Sequence, residues 1–137
     1  MKYCILSLFI LLSMTVSAQS PIGMWKSVDE NSGEVRSHVE IYEQGGNIFG
    51  KITKLLDADP NAKCDQCSGS KKNKPIVGLV IIEDLKPYKD YWRKGQILDP
   101  ENGKEYTCEL WLEDGNLKIK GKHWTGFYRT QTWYPIK

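Results

Sequence analysis

Cys64-Asp65-Gln66-Cys67 is the most chemically pointed spacing in the chain. Two thiols at this spacing can close a local disulfide, supply half a zinc site or run thiol–disulfide exchange. A redox pair normally sits at a helix N-terminus, where the dipole lowers the thiol pKa, and no βαβ pattern surrounds this one. Zinc needs further ligands, which would have to be Cys108, His38 or His123, and no second pair has ligand spacing. In an oxidising compartment the two sulfurs join if geometry permits. The expectation is therefore a Cys64–Cys67 disulfide pinning its loop, with zinc as the competing chemistry and no metal in the favoured reading. Cys108 lies on an apolar strand face, which suits a buried inert thiol. Its alternative is pairing with Cys64 or Cys67.

Other catalytic constellations are thin. The two His, at 38 and 123, stand in no nucleophile motif, and no Gly-x-Ser-x-Gly occurs. Glu105, Glu109 and Glu113 share a strand face, which reads as solvated, because acid–base work needs groups converging on one substrate. No Gly-rich phosphate loop precedes a helix, and Lys71-Lys72-Asn73-Lys74 reads as a solvated loop. No catalytic residue and no cofactor are expected, and an enzyme ranks behind two non-catalytic readings.

The aromatic residues are the other feature with chemical content. Trp25 and Trp133 read as core or barrel-end plugs. Trp111 falls on the polar face of its strand, Trp124 and Phe127 border Gly126, and Tyr88 and Trp92 cluster at another connection. Aromatics give large contact area at low entropic cost, so Trp92, Trp111, Trp124, Phe127 and Tyr88 are the candidate ligand-binding residues.

What must position these groups begins after a leader. Residues 1–18 carry Lys2, the apolar run Ile5–Leu12 and small residues at Val16-Ser17-Ala18. That run is shorter than the roughly 20 residues a membrane-spanning helix needs, and the pattern is that of a secretory signal peptide. Residues 19–137 then form a single domain, expected to be exported, periplasmic or secreted, with no transmembrane segment once the signal is removed. The whole chain carries a net charge of +2 over 137 residues, which argues against a dedicated nucleic-acid binder. Its 40% hydrophobic content is ordinary for a packed globule.

The twelve Gly fall at about one per ten residues, the spacing of turns in all-β domains. Asn31-Ser32-Gly33, Gly45-Gly46-Asn47, Pro100-Glu101-Asn102-Gly103 and Asp114-Gly115-Asn116 supply turn residues. Between them apolar and polar positions alternate. Val35, Ser37, Val39 and Ile41 share one face, as do Tyr106, Cys108, Leu110 and Leu112. The alternation predicts strands over 23–29, 34–43, 47–55, 76–84, 91–98, 104–113, 117–122 and 127–135. The fold class is all-β, a single antiparallel up-and-down β-barrel of about eight strands, since closure removes exposed strand edges. The long connection, 56–75, is polar and holds the Cys pair.

Gly23-Met24-Trp25 in the first strand and Arg129-Thr130-Gln131-Thr132-Trp133 in the last resemble the lipocalin and fatty-acid-binding barrels. That resemblance implies a lipocalin-like barrel whose closed end is built by Gly23, Trp25, Arg129 and Trp133, with the Arg stacked on the first-strand Trp. A second resemblance spans nearly the whole domain. Gly23-Met24-Trp25, Gly50-Lys51-Ile52, Pro75-Ile76-Val77-Gly78-Leu79, Gly95-Gln96-Ile97-Leu98-Asp99-Pro100, Asn102-Gly103-Lys104-Glu105-Tyr106 and Arg129-Thr130-Gln131-Thr132-Trp133 occur in order. Together they are similar to the bacterial exported family called domain of unknown function 2147. The family's Arg-Gly-Tyr before the last strand stands here as Lys120-Gly121-Lys122. The expected function is a non-catalytic binding protein, holding a small apolar molecule or lipid in the barrel. The alternative is an envelope protein–protein interaction module with a filled barrel.

Overall fold

The computed structural model describes residues 19–137, so the expected signal peptide at 1–18 lies outside the described residues. Eight strands close into one antiparallel barrel in sequence order: β1 Gly23–Val28, β2 Val35–Gln44, β3 Asn47–Leu55, β4 Val80–Tyr88, β5 Tyr91–Asp99, β6 Lys104–Glu113, β7 Asn116–Lys122 and β8 Tyr128–Pro135. The closing seam is short. Trp25 and Lys26 pair with Pro135 and Tyr134, and the Ile136 N–H donates to the Met24 carbonyl at 3.1 Å.

The connections divide the barrel into two unlike ends. At one end Gly45-Gly46, Lys89-Asp90 and Asp114-Gly115 make two-residue turns, closing Gln44 on Asn47, Tyr88 on Tyr91 and Glu113 on Asn116. Gly45 and Gly46 have φ of 59° and 83°, and Asp114 and Gly115 have 53° and 79°. These left-handed pairs match the twist of the flanking strands. At the other end the connections are longer: 29–34, 56–79, 100–103 and 123–127. Tight turns draw one rim shut, and long loops leave the other open.

The core occupies the tight-turn half. Val39, Ile41, Ile48, Ile82, Leu85, Cys108, Leu110 and Leu117 point inward and are buried there. Trp25 sits among them, its indole Nε1 donating to the Pro21 carbonyl at 2.8 Å. The inward faces of β2 and β6 are the alternating sets expected from the sequence.

One strand lies elsewhere than expected. The sequence places the fourth strand at 76–84, but β4 runs Val80–Tyr88. Pro75–Leu79 form a turn instead, with the Gly78 N–H on the Ile52 carbonyl at 2.7 Å and the Leu79 N–H on the Ile76 carbonyl at 3.1 Å. Proline has no N–H to give a ladder and so disfavours a strand interior, yet Pro87 lies within β4. It is tolerated because β4 overhangs β3, whose last partner on β4 is Leu85. At Pro87 no β3 carbonyl waits for an N–H.

The 56–79 connection is itself folded. Lys63 bridges to Pro75, the Cys64 N–H donates to the Lys74 carbonyl at 2.8 Å, and the Asn73 N–H returns to the Cys64 carbonyl at 2.9 Å. A disulfide joins Cys64 and Cys67, both buried, which takes both sulfurs out of the competing zinc reading. Cys108 stays a free, buried thiol.

Candidate functional site

The open half of the barrel is hollow. Its cavity measures about 740 Å³ and opens between the four long loops. The strand segments nearest those loops form the wall, and each contributes the residues whose parity turns them inward. Ile52 and Leu55 of β3, Ile81 of β4, Ile97 of β5 and Ile119 of β7 supply branched apolar surface. Ile76 closes one side from the folded loop, and buried Trp133 reaches the cavity from β8. Gly121 of β7 also lines the cavity, beside Ile97 and Tyr106.

A few polar groups interrupt this wall. Ser27 and Ser37 face each other from β1 and β2, their hydroxyls 2.6 Å apart. Gln131 accepts the Trp133 indole N–H through Oε1 at 3.2 Å. Tyr106 and His123 lie toward the mouth, with ring centroids 6.1 Å apart. Each polar side chain buried among the described residues has a hydrogen-bond partner. This is the usual make-up of a small-molecule pocket: apolar walls, a few placed polar groups and a volume within roughly 300–1,000 Å³.

Charged residues ring the mouth. The Arg36 Nε donates to Asp57 Oδ2 at 2.9 Å, and its Nη2 is paired with Glu101. Arg129 Nη2 meets Glu30 Oε2 at 3.3 Å. Asp29 organises the β1–β2 loop, its Oδ1 accepting the Ser32 and Asn31 N–H groups at 2.9 Å each. Those backbone donors, Ser32 first and then Asn31, hold the Asp29 carboxyl below its ordinary value. Cys108 lies below the cavity, where burial and then the nearby Glu109 push its thiol pKa up to about 12. A thiol so held is protonated and inert.

The structure scatters the five aromatic candidates. Phe127 lines the cavity, and Trp124 stands beside it in the β7–β8 loop. The other three lie toward the tight-turn end. Trp92 packs against the core, where it pairs across from Leu110. Trp111 faces outward and donates its Nε1–H to Glu113 Oε2 at 3.3 Å. Tyr88 packs edge-on against Tyr91 at 5.5 Å and lies 3.4 Å from the Arg93 guanidinium.

The barrel-closure residues also divide. Gly23 and Trp25 are at the closed end, and Trp133 reaches from the core to the cavity. Arg129 is not at the closed end. Trp25 pairs with Pro135, and Arg129 lies six residues up β8, about 20 Å away at the strand rise, opposite Gly121. Arg129 therefore serves the mouth through Glu30 rather than stacking on Trp25.

Sequence reasoning missed Arg36, Asp57, Glu101, Gln131 and the Ser27–Ser37 pair. One signal was present. Ser37 is the polar exception on the Val35–Ser37–Val39–Ile41 face, at the end where that face leaves the core.

Residues 23–134 match the family described as "Uncharacterized protein conserved in bacteria (DUF2147)". No curated protein sequence matches the chain. Among solved structures the barrel is similar to protein HP1028 from the human pathogen Helicobacter pylori, a protein stated to belong to the lipocalin family. The two superpose with a TM-score of 0.74 at 19% identity, over 86% of this chain and 84% of that one. At that identity the likeness speaks for the fold alone. Among the described residues no helix is long and apolar enough to cross a membrane.

Proposed function

The chain belongs to the DUF2147 family of bacterial proteins, and we propose that it is an exported, non-catalytic binding protein that holds a small, partly apolar molecule in its barrel. The observation that carries the reading is the cavity of about 740 Å³ walled by Ile52, Ile81, Ile97, Ile119 and Trp133. A filled barrel would have put bulky side chains there, as the opposite half does. The lipocalin-like fold is consistent with small-molecule binding, since a barrel of about eight strands has room for one such ligand.

Polarity suggests how the ligand lies. Apolar wall dominates below Tyr106 and His123, while Arg36, Arg129 and their carboxylate partners ring the mouth. An elongated molecule would place its apolar part against the isoleucines and its polar end outward. The disulfide and the leader at 1–18 support export, because a Cys pair of this kind persists in oxidising compartments.

Native mass spectrometry of the gently purified protein tests the reading. The expected result is an added mass that organic extraction removes, after which 1-anilinonaphthalene-8-sulfonate binds saturably at one site. A protein that travels empty and shows no saturable probe binding would overturn it. N-terminal sequencing of the product recovered from the producing bacterium is expected to begin at Gln19. An N-terminus at Met1 would overturn export by cleavage.

A further inference from the structure

The β7–β8 loop carries exposed apolar surface beyond what the cavity encloses. Trp124 is 90% exposed and Phe127 is 76% exposed, the two most exposed large apolar side chains among the described residues. Tyr128, also exposed, follows them. Such residues in one short projecting loop are costly to leave in water and mark a contact surface. The loop is ordered from within. The His123 N–H donates to the Phe127 carbonyl at 2.7 Å, the Gly126 N–H donates to the His123 carbonyl at 2.9 Å, and the His123 ring bonds Thr125 at 2.9 Å. Trp124 thus stands exposed on an internally hydrogen-bonded tip.

The strand pair that carries this tip is basic along its sequence. Residues 116–137 hold Lys118, Lys120, Lys122, Arg129 and Lys137 and no Asp or Glu. The preceding part of the domain, 19–115, is net acidic, with 13 basic and 17 acidic residues. Leu117, Ile119 and Gly121 turn into the barrel, so Lys118, Lys120 and Lys122 line the outer face of β7. Lys120 Nζ lies 4.3 Å from the centre of the Tyr128 ring, and none of the three forms an ion pair among the described residues. Three groups temper the field. Glu109 pairs in register with Lys120, Glu105 shares its outward face one position beyond Thr107, and Glu30 takes up Arg129. Lys122, directly paired with Thr107 and Tyr128, is the lysine nearest the tip.

The geometry points to a docking surface for a lipid bilayer with anionic headgroups, made by Trp124 and Phe127 at the tip with Lys122 and Lys120 behind them. Trp seats well at a membrane–water interface because its ring is amphipathic. Lysines close behind gain from a negative surface potential. Phe127 both projects from the tip and lines the cavity. A docked tip therefore brings the barrel mouth to the headgroup layer, where an apolar molecule could pass between bilayer and cavity without crossing water. The docking itself rests on the tip and not on the cavity being occupied, so either reading can fail while the other stands.

Co-sedimentation of residues 19–137 with vesicles tests it, since the closed barrel lies wholly within them. The vesicles are phosphatidylcholine alone or mixed with phosphatidylglycerol. The wild-type chain is expected to sediment with the mixed vesicles and to show a blue-shifted Trp emission that brominated lipid quenches. Trp124→Ser is expected to lower partitioning by at least about tenfold and to remove most of the quenching, with saturable probe binding to the cavity retained. Lys122→Ala is expected to lower it about fivefold, the weight of one lysine near an anionic surface. Trp124 packs against no core residue, so folding is not at stake. A wild-type chain that stays in the supernatant would overturn the proposal, as would a Trp124→Ser chain that sediments equally. Equal sedimentation with pure phosphatidylcholine would overturn the anionic assignment.

Discussion

Arg36 and Glu101 form an ion pair although β2 and the β5–β6 turn stand on nearly opposite sides of the barrel. The pair therefore spans the mouth of the cavity. Asp57 holds the same guanidinium from the β3–β4 connection. Strand β2, the β3–β4 connection and the β5–β6 turn are thereby tied at one point above the hollow half.

Such a tie does little for stability, because both side chains are part-exposed and exposed pairs contribute about 0–1 kcal/mol. Its consequence is kinetic. Glu101→Ala is expected to change unfolding free energy by less than about 1 kcal/mol. Release of a bound fluorescent probe should quicken about fivefold, the rate equivalent of one such pair, and lose its dependence on salt. Stopped-flow dilution measures both. Unchanged release rates would mean that ligand leaves by another side of the rim.

Cys108 offers a pH test with a defined sign. Burial raises its thiol from the ordinary value of 9.0 to about 12, so the native state holds this proton more tightly than the unfolded chain does. The stability this contributes is fully present below pH 9. It falls as pH rises toward 12, by at most about 1.4 kcal/mol per pH unit. Below pH 9 the native thiol should resist iodoacetamide and react only after denaturation. Rapid native labelling would show that the core below the cavity opens.

The barrel was legible in the sequence because turn residues and alternation agreed. Gly45-Gly46 and Asp114-Gly115 marked two of the three tight turns, and Val39–Ile41 and Cys108–Leu110 marked inward faces that the structure keeps. β4 was misplaced because Val77 and Leu79 mimic a strand while Pro87 disguises one. The site was less legible. Aromatic surplus drew attention to Trp92, Trp111 and Tyr88, which lie toward the closed end. Arg36 and Asp57 meet across the β2–β3 ladder, but Glu101 reaches them only because the sheet curves round, and no local period reports that contact. Arg129 was read through a chain-end resemblance, whereas its position along β8 puts it at the mouth.

The disulfide loop and the β5–β6 turn should behave as one unit. Gly103 has φ of 72°, and a Cβ added there would overlap the Gln66 carbonyl oxygen between the two cysteines. Cys64 Sγ lies 3.7 Å from the Pro100 carbonyl oxygen on the same turn. Gly103→Ala is expected to destabilise by at least about 2 kcal/mol through left-handed backbone strain and this clash. Reduction of Cys64–Cys67 should cost about 2 kcal/mol on the loop-entropy estimate. Because the two sites touch, the combined loss should be less than the sum. Urea denaturation of the four states decides it, and full additivity would show that the loop and turn are independent.

Gly121 gives a way to close the cavity without straining the barrel. It lines the hollow half, and its backbone is not in the left-handed region. A Cβ there would meet Ile97 Cγ2 and Tyr106 Cβ at 3.5 Å, ordinary contact distance. A phenylalanine at this position would extend into the open volume and take the space where the ligand's apolar part would lie. Gly121→Phe is therefore expected to weaken 1-anilinonaphthalene-8-sulfonate binding by at least about tenfold, since the ring replaces the probe against the same isoleucines. Thermal stability should hold or rise, because filling an apolar cavity recovers contacts that a void forfeits. Fluorescence titration and calorimetry on the same sample separate the outcomes. A variant that folds as well as the wild type and still binds the probe at full strength would place the binding site outside the barrel.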